Sequence, residues 1–421
     1  MKPALLILIA VVALVSAQQL EDIISLPYDH KAIQYYERTP TDPVMRLSDR
    51  LDKHLVKLDY SAAQAYLPAL LKQLDINPDS QVLVFSQTSL QSPRISMARP
   101  RAIYFNDNVS VGWVQGGEVM ELSALDPVLG VNFYTMEVRK SDSPFLARRE
   151  VCLQCHLGAQ TMGVPGLMVS SLYTDKPSAV GLHSASYLTD HRTPFAERWG
   201  GWYVTGSMGG QKHLGNAKLV NRSPERVDPM GGADLQTLDD RLDMKPYPEP
   251  SSDVVALMTL EHQARMTNLM TRIAWDTRIA QADGKLEASK DKLNGEIEEL
   301  VGYMLFTDEA RLTAPVQGTS TFTKTFLARG PRDKQGRSLR EFDLQTRLFK
   351  YPLSYMIYTA AFDAMPDYAR ERIYRRIYDI LTGAESAAKF ARLTADERRA
   401  VLEIVQGTKT KLPAYWKPGA K

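Results

Sequence analysis

Apolar residues recur along this chain with two different periods, and the change of period divides it. Between residues 42 and 75 they fall at Leu47, Leu51 and Leu55, then at Leu67, Leu70, Leu71 and Leu74, the three- and four-residue steps of a helix. From residue 82 the rhythm shortens. Val82 to Phe85, Arg101 to Phe105, Val109 to Gln115, Val119 to Ala124 and Val131 to Val138 read as short strands. Val109, Val111 and Trp113 alternate with smaller residues, as in a half-buried strand. "NDN" at 106–108 and "GG" at 116–117 supply hairpin turns, so the strands form an antiparallel sheet.

Helical spacing returns at Ser252. Val255, Met258, His262, Met266, Leu269 and Ile273 share one face, and a second helix is expected over 287–306. A later helix buries Ile373, Ile377 and Leu381, and the last opens on "TADE", where Thr394 caps and Glu397 reaches back. Between these lie residues 221–252, with five prolines and no periodicity, and an irregular basic stretch, 313–350. The expected fold class is α+β. A helical start and sheet-rich part (18–220) is followed by a connector (221–252) and a mainly helical part (253–421).

The first 17 residues stand apart. A short basic start, an apolar run from Ala4 to Val15 and small residues at Val15-Ser16-Ala17 have the form of a secretory signal. The apolar run is shorter than the roughly 20 residues a spanning helix needs. The expectation is therefore an exported, periplasmic chain starting at Gln18, with no stable membrane span after the signal is removed. Composition adds little: 51 Lys and Arg against 49 Asp and Glu leave a net charge of +2, which gives no support for a nucleic-acid partner.

Export makes the cysteines informative. There are two, Cys152 and Cys155, and His156 follows directly in "EVCLQCHLGA". An exported chain large enough to bury its own core does not need one short disulfide. Cys-x-x-Cys alone also fits a thioredoxin-like redox pair, which needs a strand-to-helix junction in a βαβ setting, or half of a zinc site, which needs a fourth ligand. With His156 the string is Cys-x-x-Cys-His, the attachment sequence of c-type haem. Two thiols one helical turn apart can each bond a vinyl group on one porphyrin edge, and the adjacent imidazole comes under the iron.

On these residues the chain resembles the c-type cytochromes. The resemblance implies one haem c per chain, thioether bonds at Cys152 and Cys155, and His156 as proximal ligand of the iron. The motif lies more than 130 residues into the exported chain, unlike that of the small cytochromes. The wider pattern, "RAIYFNDNVSVGWVQGG", "DHRTPFAERWGGWYVTG", "HLGN" and "LEHQ", is similar to a group of large exported bacterial proteins carrying one such motif.

The sixth position of the iron decides between electron relay and chemistry. His262, on the apolar face of its helix between Met258 and Met266, is one candidate; a core histidine bonded to protein groups is the competing explanation. His213 in "KHLGN" and Met208 are others, in a segment where glycine is concentrated: ten of the 25 glycines lie within 158–216. His191 reads as a polar-network residue held by Asp190 or Arg192, while His183, His30 and His54 carry no distinguishing pattern. Arg192 and Arg198 could pair with haem propionates, because a guanidinium fork fits a carboxylate. The 313–350 stretch reads as a solvated loop, or as a basic face for an acidic partner. The expected function is electron transfer with a redox partner protein or a small-molecule donor or acceptor. The alternatives are a haem-dependent, peroxidase-like oxidoreductase and a haem sensor or docking subunit.

Overall fold

The computed structural model describes residues 28–172, 187–217, 219–222, 225–227, 234–385 and 387–417. The segment read from sequence as a secretory signal and His183 lie outside them. Two helices come first, α1 (Pro43–Asp52) and α2 (Leu67–Gln73). The helical spacing expected over 42–75 therefore breaks in two, and residues 53–66 form turns, with His54 and Ala65 at positive φ. Asp42 starts α1: its Oδ1 accepts from the Val44 and Met45 N–H groups, and Pro43 occupies the first helical position.

The strands follow the alternation closely. They are β1 (Val82–Val84), β2 (Arg101–Phe105), β3 (Val109–Trp113), β4 (Val119–Asp126), β5 (Gly130–Glu137) and the short β6 (Ala147–Arg148). After the motif helix α3 (Leu153–His156) and a small ladder of β7 (Ser170–Ser171) with β8 (Tyr187–Leu188), strand β9 (Trp202–Tyr203) joins the far edge. The sheet order is β6-β5-β4-β3-β2-β1-β9, and each pair is antiparallel. β10 (Leu219–Arg222) and β11 (Glu225–Val227) make a separate hairpin, inside what reads from sequence as the end of the sheet part and the connector.

Period-two alternation sorts the sheet into two cores. Leu83, Tyr104, Val111, Leu122 and Tyr134 pack with Leu47, Leu70 and Leu71 of α1 and α2. Their neighbours Val82, Val84, Phe105, Val131 and Phe133 face the opposite way, into a cluster that continues through the C-terminal helices as far as Ile377 and Trp416. β1 is buried throughout and β5 from Gly130 to Met136, so these strands are covered on both faces, whereas β2 and β4 alternate between buried and part-exposed positions at their starts.

The helical half comprises α4 (Val254–Ala282), α5 (Lys290–Met304), α6 (Phe322–Ala328), α7 (Ala360–Asp363), α8 (Asp367–Thr382) and α9 (Ala395–Thr408). Thr394 and Glu397 form the expected capping box. Helix α4 departs from the one-faced reading. From Val254 to Thr277 all but Arg265 are buried, polar residues included. Among the described residues no helix is long and apolar enough to cross a membrane.

Asp253 anchors α4 at its start. It is fully buried; Oδ1 accepts from the Val255 and Ala256 N–H groups, and Oδ2 from the Ser320 N–H and hydroxyl. Asp253→Ala removes the cap and strands buried donors, and should cost about 2–3 kcal/mol in denaturant unfolding. Leu55→Ser, at a 70% exposed apolar position, should change stability by less than about 0.5 kcal/mol.

Candidate functional site

The motif leaves the sheet after β6 as one 3-10 turn, Glu150–Cys152, running into α3. Cys152 has helical dihedrals, so a spacing of three brings it and Cys155 to the same side of the turn. Both thiols are free and half-buried. Burial pushes Cys152 up to about 11, helped by Glu121 and Cys155, and burial also raises Cys155. Disulfide-exchange cysteines carry depressed values. These are protonated thiols in an antiparallel setting, which speaks against a thioredoxin-like pair.

His156 is clamped by one residue from two sides. Its ring Nδ1 lies 2.9 Å from the Gly166 carbonyl oxygen, and its own carbonyl accepts from the Gly166 N–H at 3.0 Å. A carbonyl only accepts, so Nδ1 carries the proton and Nε2 keeps its lone pair. The ring packs on Phe133 of β5 at 4.6 Å, and burial holds its basicity below that of a free histidine. An imidazole in this tautomer, fixed in orientation, is what a metal ligand requires.

Gly166 is itself held by α4. Asn268 accepts from the Leu167 N–H at 2.9 Å and donates to the Leu167 carbonyl at 2.7 Å. Arg272 Nη1 donates to the Met162 carbonyl at 2.9 Å, and Val131 N–H reaches the Pro165 carbonyl at 3.2 Å. The loop runs so close to α4 that a Cβ on Gly166 would collide with the Asn268 amide. Asn268 carries no sequence signal; a polar residue in a helix reads as solvent-facing.

The other candidates sit in different surroundings. His262 is fully buried with both ring nitrogens engaged, Nδ1 with His191 Nδ1 at 2.9 Å and Nε2 with Ser354 Oγ at 2.8 Å. Its ring stacks with Tyr303 and Phe306. Burial lowers it to about 3, and His191 falls well below its ordinary value for the same reason and because of His262. His191 Nε2 is buried and takes no hydrogen bond among the described residues.

His213 packs on Trp199 and accepts the Gly215 N–H on Nδ1 at 3.0 Å, which places its proton on Nε2. Met208 is buried, its N–H bonded to Asp234. Arg198 is buried and spent on protein groups: Glu261 at 3.0 Å and the carbonyls of Thr193 and His191. Burial pushes Glu261 up to about 7 against the pull of Arg198. Arg192 forms a two-pronged pair with Asp190. His30 bonds Asp283 at 3.2 Å. The structure thus gathers His191, Arg192, Arg198 and His262 into one polar cluster, while Cys152, Cys155 and His156 form another. Among the described residues no three His, Cys, Asp or Glu side chains converge on a point.

Two predictions test these contacts. Asn268→Leu and Gly166→Ala should each lower stability by about 1–3 kcal/mol, and the double variant should lose clearly less than their sum, because both break the same clamp. For His262 the folded value lies below the unfolded one. Its contribution is therefore complete above about pH 6.5 and is lost as pH falls toward 3. His262→Leu, though less stable overall, should show a pH slope shallower by up to about 1.4 kcal/mol per pH unit across that window in denaturant titrations.

Comparison of the chain with protein-family models, with curated proteins and with solved structures returns no match.

Proposed function

We propose that this chain is an exported c-type cytochrome with one covalently attached haem, working in electron transfer. The reading is carried by the His156 ring: Nδ1 is protonated and fixed on the Gly166 carbonyl, leaving Nε2 as a lone-pair donor beside two free thiols on one helical turn. Cys152 and Cys155 would hold the porphyrin and His156 its iron. Each thiol would add across a vinyl double bond, with a new S–C bond and the thiol hydrogen passing to the second vinyl carbon. No oxidant is required, and no thiol is lost to a disulfide. The apolar Val151, 43% exposed beside Cys152, supplies surface that a flat aromatic macrocycle would cover.

When bound, the haem supplies a one-electron couple at its iron. The chain's own part is to keep the proximal ring from turning, through Gly166 and Asn268, and to raise the basicity of Nε2 through the Nδ1–H bond. Secretion to the periplasm and exchange with a redox partner protein or small-molecule donor complete the proposal.

Expression in a host competent for cytochrome maturation tests it. The purified chain should weigh one haem more than the polypeptide, and Cys152→Ser or Cys155→Ser should leave one thioether and a shifted reduced spectrum. A mass equal to the bare polypeptide overturns the reading. Addition of carbon monoxide to the reduced protein then separates the uses. An unchanged spectrum means two protein ligands and a relay; a shifted one means an accessible iron, as a peroxidase-like oxidoreductase or sensor needs. Alanine at His262, His213 or Met208 should alter that spectrum only at a residue that binds the iron.

A further inference from the structure

A cleft opens at the seam between the two N-terminal helices and the helical half, on elements that carry none of the motif residues. Its mouth has a volume of about 350 Å³ and is walled by α1, the end of α2, the β2–β3 turn and the end of α6. Arg46 and Arg50, four residues apart, share one face of α1. Arg329 comes from across the cleft and is held by Asp75, Nη2 to Oδ2 at 2.6 Å and Nη1 to the carbonyl at 2.8 Å. Three guanidinium groups meet one carboxylate among the residues that line the mouth, which leaves it with an excess of two positive charges.

Behind the mouth, sharing Asn106 and Arg329 with it, lies a recess of about 20 Å³, room for one water-sized group. Asp79 lines it and is only 2% exposed. Its Oδ2 accepts from the Thr321 and Thr325 hydroxyls at 2.8 and 2.7 Å. Its Oδ1 is buried and takes no hydrogen bond among the described residues. The nearby Gln263 amide is already used, Nε2 on the Asn106 carbonyl at 2.5 Å and Oε1 by the Tyr355 hydroxyl at 2.9 Å. The other walls are Phe105, Phe322 and Phe326, which have no side-chain donor, with Asn77, Ser80, whose hydroxyl is given to the Asn77 carbonyl, and Asp107, which is paired with Arg340. A buried carboxylate oxygen left without a donor is costly. The mouth, which shares Asn106 and Arg329 with the recess, is a side from which the partner it lacks can enter.

We propose that this cleft binds a small organic anion, its carboxylate or phosphate held by Arg46, Arg50 and Arg329 and its hydroxyl or ammonium donating to Asp79 Oδ1. The size of the recess limits the inserted group to one heavy atom or so. The charge at the mouth sets the sign of the remainder. This site is independent of haem attachment.

Calorimetric titration of the full-length matured protein tests it with paired probes. Malate and glycerol 3-phosphate carry both groups; succinate and ethyl phosphate lack the donor. At least one of the first two should bind saturably with Kd of about 1 mM or tighter, and its partner at least about tenfold more weakly. The preferred member of each pair distinguishes a carboxylate from a phosphate ligand. Arg50→Gln, at an exposed position, should weaken binding about tenfold, and Asp79→Asn should narrow the gap within the pair. If Asp79→Asn does not fold, Arg50→Gln still decides. Absence of saturable binding by malate and glycerol 3-phosphate overturns the proposal. So does equal affinity within each pair, which means that water alone fills the recess, or binding indifferent to Arg50→Gln.

Discussion

The motif loop, one face of the sheet and the C-terminal segments are arranged around a helix that has almost no free surface. Over its first 24 residues α4 buries Glu261, His262, Gln263, Asn268, Arg272 and Asp276 as well as its apolar side chains. A polar group taken out of water has to find a partner inside, and each of these finds one on a different segment. Glu261 meets Arg198, His262 meets His191 and Ser354, Gln263 meets Asn106 and Tyr355, and Asn268 meets Leu167. Apolar packing alone would tolerate rotation or sliding of the helix. These bonds, with distance and direction requirements, fix its register against the sheet, the motif loop and the C-terminal segments together.

The motif inherits its geometry from that register. α3 is four residues long and has too few internal hydrogen bonds to hold His156 in place by itself. Its rigidity comes from outside, in the order Asn268 to Leu167, Gly166 to His156. Glycine at 166 follows from the close approach, since its backbone φ lies outside the left-handed region and a side chain would only be too large. The same helix touches the cleft through Gln263, five residues or roughly 7.5 Å along its axis from Asn268. Both places are therefore supported by one rigid element.

How much of this could be seen in the chain of letters follows from the range of each interaction. Strand positions showed because alternation is local: β2 has the expected bounds, and β3, β4 and β5 differ by one to two residues. The helix start at Thr394 showed for the same reason, as a cap is a contact over two or three residues. The motif showed because its chemistry needs adjacent residues. Helix α4 misled, because its polar residues mimic a solvent face and their partners lie up to 157 residues away. Nothing near His262 announces His191 or Ser354, and nothing near Asn268 announces Gly166. The cleft assembles side chains from four separate elements and has no sequence pattern at all.

Charge is spent in the same inward manner. The basic stretch 313–350 invites comparison with a docking face, yet its cations are largely matched inside the chain. Arg329 pairs with Asp75, Arg337 with Asp333 and Glu403, Arg340 with Asp107, Arg347 with Glu397, and Lys350 with Glu341. Four of these five residues, all arginines, reach outside the stretch to clip an irregular segment onto the rest of the chain, a task suited to the guanidinium fork, and Lys350 closes across a turn within it. Paired charges project a weak field beyond a Debye length. With a net charge of only +2, long-range steering of an acidic partner toward this stretch has little to draw on. The arginines of 313–350 are understood as fasteners of a loop that has no ladder of its own.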